Sequence, residues 1–282
     1  MIAEVKCLVM NRRTATTLAA SNAFRFVLMM GVVNLFGDMT YEGGGSINGP
    51  FLATLGASAA AISIIAGAGE FFGYSLRAVA GYVSDKTGKY WLVTFIGYSI
   101  NLLVVPTMAL AGSWHIAAAL ILAERIGRAI RKPTVEAMLS YSTGQHGKGW
   151  VYGVNTAMDE TGATLGPLLI ALVLFLKGGE SYRIGYAFLL ISALLALISL
   201  TAARVIFPVP SELEKGNEQT APAKGFTSSY WLYMTAGACF AAGLMSFELI
   251  SYHLFSSGVV TAHWIPFFLA ISTGLGVIAS LV

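Results

Sequence analysis

Charged residues are scarce in this sequence. They make up 11% of the chain, whereas hydrophobic residues make up 56%, and the mean hydropathy is +0.71. Soluble domains usually contain roughly 25% charged residues, so this composition excludes an ordinary soluble globular protein. The net charge of +3 is mild, and no basic cluster indicates a nucleic-acid partner. We therefore expect a protein embedded in the lipid bilayer.

Cysteine and histidine are scarce as well, with 2 and 4 copies. Cys7 falls in the N-terminal tail and Cys239 in an apolar segment, so no disulfide framework is expected. The histidines show no metal-ligand spacing, and neither a metal nor a cofactor is predicted. Near the N-terminus, the apolar run from Cys7 to Met10 is too short for the core of a signal peptide.

Long apolar segments dominate the rest of the chain. They run about 18 to 30 residues between polar breaks, which is the length of membrane-spanning helices and not of barrel strands. The predicted spans are Phe24–Leu55, Ala59–Val83, Trp91–Leu110, His115–Met138, Val151–Leu176, Ile184–Val205, Tyr230–Leu254 and a last one that begins near His263. The sequence therefore predicts an all-α integral membrane fold.

A polar stretch divides these spans into two groups. We expect a cytoplasmic tail over residues 1–22, a six-helix transmembrane bundle over 23–207, a cytoplasmic linker over 208–228 and the start of a second bundle over 229–282. The last apolar run reaches Val282 without a charged flank. This pattern predicts a chain that stops within its eighth span.

Lysine and arginine are distributed unevenly over the connections of this layout. Thirteen of them lie on one side, and only Lys177 and Arg183 lie in the opposite loops. Cytoplasmic connections carry an excess of basic residues. The N-terminus is therefore predicted to be cytoplasmic, with the protein in the plasma or inner membrane.

The loop between the second and third predicted spans contains Gly81, Asp85, Lys86, Gly88 and Lys89. Its glycines permit a tight turn with positive φ. The pattern G-x-x-x-D-K-x-G-K resembles the signature loop of the major facilitator superfamily of secondary transporters. The segment from Asp85 to Gly88 also matches the core of the phosphorylated-aspartate motif of cation-pumping ATPases, but Lys89 stands where that motif has threonine.

The family resemblance implies a helical bundle that normally has twelve spans. It also implies a gating role for the loop, in which Asp85 and an arginine at the end of the fourth span help to latch the two halves. Arg128 and Arg131 lie at that end. The alternative interpretation of Arg131 and Lys132 is that they are membrane-edge anchors on the cytoplasmic side.

Acidic and amide side chains inside spans are candidates for binding solute or protons. A charge at bilayer depth costs several kcal/mol unless it is paired, protonated or facing water. Asn34, Asp38 and Glu42 follow one another at i, i+4 steps and share one face of the first span. Further candidates are Glu70, near mid-membrane on the second span, Asn155, Asp159, Glu248 and Tyr252.

Asp38 is the expected proton carrier, because the glycines and proline between Gly43 and Pro50 follow it and should loosen the helix. The alternative is that Arg77 or Arg125 keeps such a carboxylate ionised in a salt bridge.

Small residues mark one face of the fifth span, where Gly153, Gly162 and Gly166 precede Pro167. Such a face permits close approach of a neighbouring helix, and the proline removes a backbone donor and kinks its own helix. The spacing also resembles the glycine-rich fifth-span motif of the antiporter branches of the superfamily. Close packing alone is the alternative interpretation.

Together, these features predict a secondary active transporter that moves a small solute by alternating access, coupled to protons in efflux or antiport. The expected partners are the solute, protons and the bilayer, and the complete protein is expected to be monomeric. The alternatives are an uncoupled facilitator or nutrient importer, a membrane-embedded enzyme and an inactive fragment. No nucleophile elbow or metal-ligand spacing supports an enzyme, so no catalytic residues are predicted.

Overall fold

A computed structural model describes residues 2–178, 181–214, 227–243 and 245–280 of the chain. Side chains are described from Ala20 to Ile278 within these ranges, apart from that of Ala242. The side chains of most of the predicted tail, most of the predicted linker and the last four residues lie outside the described part. The expectations that rest on them, including where the chain stops, are therefore not addressed by the structure.

Within these ranges the chain forms ten α-helices and no strand. They are α1 (Ile2–Thr54), α2 (Ala59–Thr87), α3 (Tyr90–Thr107), α4 (Trp114–Ser140), α5 (Thr143–His146), α6 (Lys148–Lys177), α7 (Tyr182–Ile206), α8 (Ser228–Ala242), α9 (Phe247–Ser256) and α10 (Trp264–Ser280). Short 3-10 turns follow α3 at Met108–Leu110 and α7 at Pro210–Leu213. The predicted all-α fold is confirmed.

Five of these helices are long and apolar enough to cross a membrane: α1 from Ala20 onward, α2, α3 with its 3-10 extension, α6 and α7. α4 has 27 residues, which is also long enough, but it carries several charges on its central turns. The outer faces expose large apolar side chains such as Phe72, Leu172 and Ile198. Because lipid tails are as apolar as these side chains, the surface suits a multi-pass membrane protein.

Two of the observed helices differ from the predicted spans. α1 begins at Ile2 rather than near Phe24, because no glycine or proline interrupts the sequence before Gly31. The predicted seventh span is divided into α8 and α9. Gly243 caps the end of α8, and Ser246 takes the extended backbone of an N-cap before α9, which are the residue types that end and begin helices.

The turn between α2 and α3 depends on Gly88. It caps α2 in the left-handed conformation with φ of 65°, and its N–H donates to the Ser84 carbonyl at 2.8 Å. Gly81 instead lies inside α2, where a Cβ would be 3.6 Å from Pro133 of α4. The predicted turn is therefore present, and only one of its two glycines forms it.

The glycines of α1 serve packing and not helix breakage. α1 continues through Pro50 as far as Thr54. A Cβ at Gly44 would be 2.8 Å from Val105 Cγ1 of α3, and one at Gly49 would overlap the Glu248 carbonyl of α9. The expectation that these residues loosen the helix is wrong, because their small size instead lets neighbouring helices approach the α1 backbone.

The core consists of two apolar clusters at different depths. One contains Phe26, Met30 and Tyr98, and the other contains Ile47, Phe51 and Tyr186. On α1 the first cluster extends to Val33 and the second begins at Ile47. The polar face of α1 therefore lies between them, in a layer near the middle of the bundle.

α6 packs directly on the backbone of α1 through its glycines. A Cβ added at Gly162 would overlap the Leu35 carbonyl, and one at Gly166 would overlap the Met39 carbonyl. Nothing lies within 4 Å of a Cβ built at Gly153. Close packing accounts for two of the three glycines of the predicted motif.

We expect Gly162→Ala to destabilise the protein by about 1–3 kcal/mol, because the added methyl group overpacks a backbone contact. The thermal unfolding midpoint of the detergent-solubilised protein measures this. Gly153→Ala is the matched control on the same helix, and it should be neutral or slightly stabilising, since alanine favours a helix by about 0.5–1 kcal/mol over glycine. Equal effects of the two substitutions would refute the packing account.

Candidate functional site

Basic side chains of α4 occupy the layer between the two apolar clusters. Arg125, Arg128 and Arg131 follow one another at steps of three residues, and Lys132 lies four residues after Arg128, so these side chains lie on one side of the helix. A cation in such a layer is costly unless a carboxylate lies beside it. The carboxylates come from four other helices, as follows.

Arg125 joins α2, α4 and α9. Its Nη1 donates to Glu70 Oε1, its Nη2 donates to Glu248 Oε1 at 2.6 Å, and its Nε lies 3.6 Å from Glu124 Oε2. The arginine side chain is 16% exposed. Three carboxylates therefore surround one guanidinium group.

Arg128 is held by its own helix and by α1. Its Nη2 and Nε donate to Glu124 Oε1 at 2.7 and 3.1 Å. Its guanidinium carbon lies 3.9 Å from the centroid of the Tyr41 ring, a cation–π arrangement. Glu42 Oε1 is 4.0 Å from Nη1, which is beyond hydrogen-bond range.

Arg131 is the most deeply buried of the four, with 3% of its side chain exposed. Its Nε donates to Asn101 Oδ1 at 3.1 Å and its Nη2 donates to Asp38 Oδ1 at 3.4 Å. Asn101 Nδ2 in turn donates to Glu124 Oε1 at 2.7 Å. Arg131 is therefore a member of the buried network and not a membrane-edge anchor.

Lys132 connects this network to α6. Its Nζ lies 3.5 Å from Asp159 Oδ2, and Asn155 Nδ2 donates to the same oxygen at 3.3 Å. Asn155 Oδ1 accepts from Asn34 Nδ2 at 2.6 Å. The other Asp159 oxygen, Oδ1, is buried without a hydrogen bond among the described residues.

A cavity of about 130 Å³ opens beside Arg125 and Arg128. Its walls come from α1, α4, α9 and α10, and Glu42, Glu124 and Glu248 supply its carboxylates. Tyr41 and Phe247 supply aromatic surface. The cavity therefore lies between the first six long helices (α1, α2, α3, α4, α6 and α7) and the pair α9 and α10. Ionisable groups lie on several of its sides.

The structure brings most of the predicted site residues together. Asn34, Asp38, Glu42, Glu70, Asn155, Asp159 and Glu248 all lie in or beside the α4 network. Tyr252 does not line the cavity and packs on the apolar cluster around Phe51.

The gating contact implied by the resemblance is not formed in this structure. Asp85 accepts a hydrogen bond from Tyr90 Oη at 3.0 Å. The ion pairs of Arg128 and Arg131 among the described residues are with Glu124, Glu42 and Asp38. Asp85 therefore stands apart from the α4 network in this conformation.

Six contributors to the network lie outside the predicted site: Tyr41, Tyr98, Asn101, Glu124, Arg125 and Lys132. The three- and four-residue spacing of the basic residues on α4 was the available signal for Arg125. Tyr98 and Asn101 are on α3, where their Arg131 contacts join positions about thirty residues apart. No local pattern in the sequence marks such contacts.

Residues 19–282 match the Major Facilitator Superfamily. The chain belongs to this superfamily. Its members are transporters and not enzymes, and the predicted family and fold class are confirmed.

Several relatives of this superfamily member are themselves uncharacterized. Uncharacterized proteins of Mycobacterium bovis and Mycobacterium tuberculosis are each 35% identical over 260 residues, which is 90% of this chain and 63% of the relative. An uncharacterized MFS-type transporter of Methanocaldococcus jannaschii is 28% identical over 190 residues, or 66% of this chain and 45% of that protein. The chain thus spans 63% of the length of the mycobacterial relatives.

Among solved structures, a bacterial homologue of the human drug peptide transporters PepT1 and PepT2 superposes with a TM-score of 0.58 at 12% identity. The match covers 91% of this chain and 54% of that one. At this identity the similarity shows the fold.

We expect Arg125→Gln to loosen α9 from the first six long helices, because Arg125 is the cation that contacts Glu248 in the described part of the chain. Charged hydrogen bonds contribute about 1.5–3 kcal/mol, and 1.4 kcal/mol is a tenfold change in an equilibrium. Labelling of a single cysteine at Phe247 by a thiol reagent, with Cys7 and Cys239 removed, should therefore accelerate about tenfold. Arg77→Gln is the control, since Arg77 lies over the Tyr74 ring at 4.6 Å. Unchanged labelling in Arg125→Gln would count against the link.

Proposed function

We propose that this protein is a secondary active transporter that carries a small solute by alternating access, with the cavity between α1, α4, α9 and α10 as its solute site. One observation carries the proposal. The cavity lies where α9 meets the first six long helices, and an ion pair between Arg125 and Glu248 crosses that contact at 2.6 Å. An ion pair at such a contact can open and close without breaking an apolar core.

The packing of α9 supports movement at this contact. α9 approaches α1 at Gly49, where a side chain would overlap the Glu248 carbonyl. α8, by contrast, is exposed along its described length. α9 therefore rests on α1 at Gly49, on the apolar cluster around Phe51 and on one ion pair, and the transport cycle would exchange these contacts.

We further propose proton coupling, with Glu42 and not Asp38 as the carrier. Asp38 is 6% exposed, is bound by Arg131 and does not line the cavity. The Glu42 side chain is 31% exposed, faces the cavity and has its nearest cation 4.0 Å away. A carboxylate in that position can exchange a proton with the cavity. Asp159, with its orphaned Oδ1, is the next candidate.

Efflux by antiport is the proposed direction. It rests on the glycine spacing of α6, whose contacts with α1 are also accounted for by packing.

The proposed location is the cytoplasmic membrane, with the protein as a monomer and its N-terminus in the cytoplasm. Arg128, Arg131 and Lys132 do not mark topology, because they belong to the network; ten basic residues remain on the cytoplasmic side against two on the other.

An uncoupled facilitator is the second candidate function. The ion pairs of Asp38 with Arg131 and of Glu70 with Arg125 favour it, because a carboxylate held ionised throughout the cycle carries no proton.

Everted membrane vesicles that contain the full-length protein test the proposal. A respiration-driven pH gradient is followed with a fluorescent amine while cationic, zwitterionic, anionic and neutral solutes are added in turn. We expect one class to discharge the gradient, and Glu42→Gln to abolish this response while solute counterflow persists. Glu136→Gln is the control, since that carboxylate is 54% exposed and, among the described residues, pairs only with Lys132, at 3.9 Å.

A normal response in Glu42→Gln, with its loss in Asp38→Asn or Glu70→Gln, would contradict the assignment to Glu42. Counterflow without any discharge in the unaltered protein would establish the facilitator instead.

A further inference from the structure

We infer that the cavity takes a monovalent organic cation, whose ammonium group lies against the Glu42 carboxylate. The inference rests on the proposed function in one respect, which is that the cavity is the solute site. It adds the chemical class of the solute and the residue that selects it.

The guanidinium groups of the cavity are already occupied. Arg125 has a carboxylate at each of its three nitrogens. Arg128 donates twice to Glu124, and its flat face lies on the Tyr41 ring. An anionic solute would have to displace a protein carboxylate and leave it buried without its partner, which is unfavourable.

Glu42 is the cavity carboxylate without such a partner. Both Glu124 and Glu248 accept hydrogen bonds from arginine at 2.7 Å or less. Glu42 accepts none among the described residues; its Oε1 lies 4.0 Å from Arg128, and its side chain lines the cavity. An ammonium group placed there gains a charge-assisted contact and displaces no existing one.

The charge balance of the walls points the same way. Glu42, Glu124 and Glu248 line the cavity against Arg125 and Arg128, so one negative charge is in excess. Glu70, on the far side of Arg125, adds another. In a medium of low dielectric constant a single cation lowers the electrostatic energy of this arrangement, and a single anion raises it.

Size and wall chemistry favour an alkylated ammonium over a hydrated metal ion. The cavity of about 130 Å³ is several times the about 10–15 Å³ that a single water molecule needs, so it has room for a small organic ion. Phe247 and Leu269 cover part of its wall. Methyl groups on nitrogen contact such surfaces favourably, whereas a metal ion needs several oxygen ligands around it.

Choline is the probe for the test, because 3,3-dimethylbutan-1-ol has the same shape without the charge and 3,3-dimethylbutanoate has the opposite charge. Isothermal titration of the purified full-length protein should show choline binding at least tenfold more tightly than the alcohol, and no binding of the acid. Glu42→Gln should weaken choline binding at least tenfold without changing the thermal midpoint. Glu136→Gln should leave it unchanged.

Three results overturn the inference: no choline binding, equal binding of choline and its alcohol, or choline binding that survives Glu42→Gln. The vesicle experiment distinguishes a failure of this inference from a failure of the proposed function. Discharge of the vesicle pH gradient by a neutral or anionic solute would leave proton-coupled transport in place and reject the cation. Selective choline binding with no discharge would keep the cation and reject the coupling.

Discussion

The ion pairs of α4 are the interaction on which this structure depends. Carboxylates from four other helices contact its cations: Asp38 of α1, Glu70 of α2, Asp159 of α6 and Glu248 of α9. Taking one buried partner away leaves an uncompensated charge, which typically costs about 3–5 kcal/mol. These pairs therefore fix the positions of the helices around α4 more than they add net stability, because desolvation offsets much of their Coulombic attraction.

The same network has a deeply buried part around Arg131 and a part at the cavity, where the contact with α9 is proposed to move. Arg131, the deepest member, is bound by Asn101 and Asp38 within the first six long helices, among apolar side chains. Arg125 and Glu42 lie at the cavity edge, where α9 contributes only Glu248 to the network. The buried pair of Arg131 and Asp38 fixes α1 against α4. The pair of Arg125 and Glu248 at the cavity is the one proposed to exchange partners. In the proposed transport cycle, a solute that competes at the cavity would exchange the ion pair between α9 and Arg125.

The sequence was sufficient for the fold class and for most of the carboxylates of the candidate site, though not for Glu124. The i, i+4 stripe of Asn34, Asp38 and Glu42 gave the correct face of α1, since local helix geometry alone determines it. The partners were not predictable in the same way. Arg131 sits near the end of a span, where positive-inside anchoring is the ordinary explanation, and Asn101 reaches it across a tertiary contact. The glycines of α1 permit breakage or close packing equally well, and only the neighbouring backbones distinguish the two.

A double-mutant cycle between Asp38 and Arg131 tests the central claim most directly. The free energy of unfolding is measured for Asp38→Asn, Arg131→Gln and the double variant. The reference is the pair of Lys132 and Glu136, whose side chains are 34% and 54% exposed. If α4 holds the α1 carboxylate by an ion pair, the coupling energy should be about 1.5–3 kcal/mol, against about 0.5 kcal/mol or less for the reference pair. A coupling energy near zero between Asp38 and Arg131 would contradict the account.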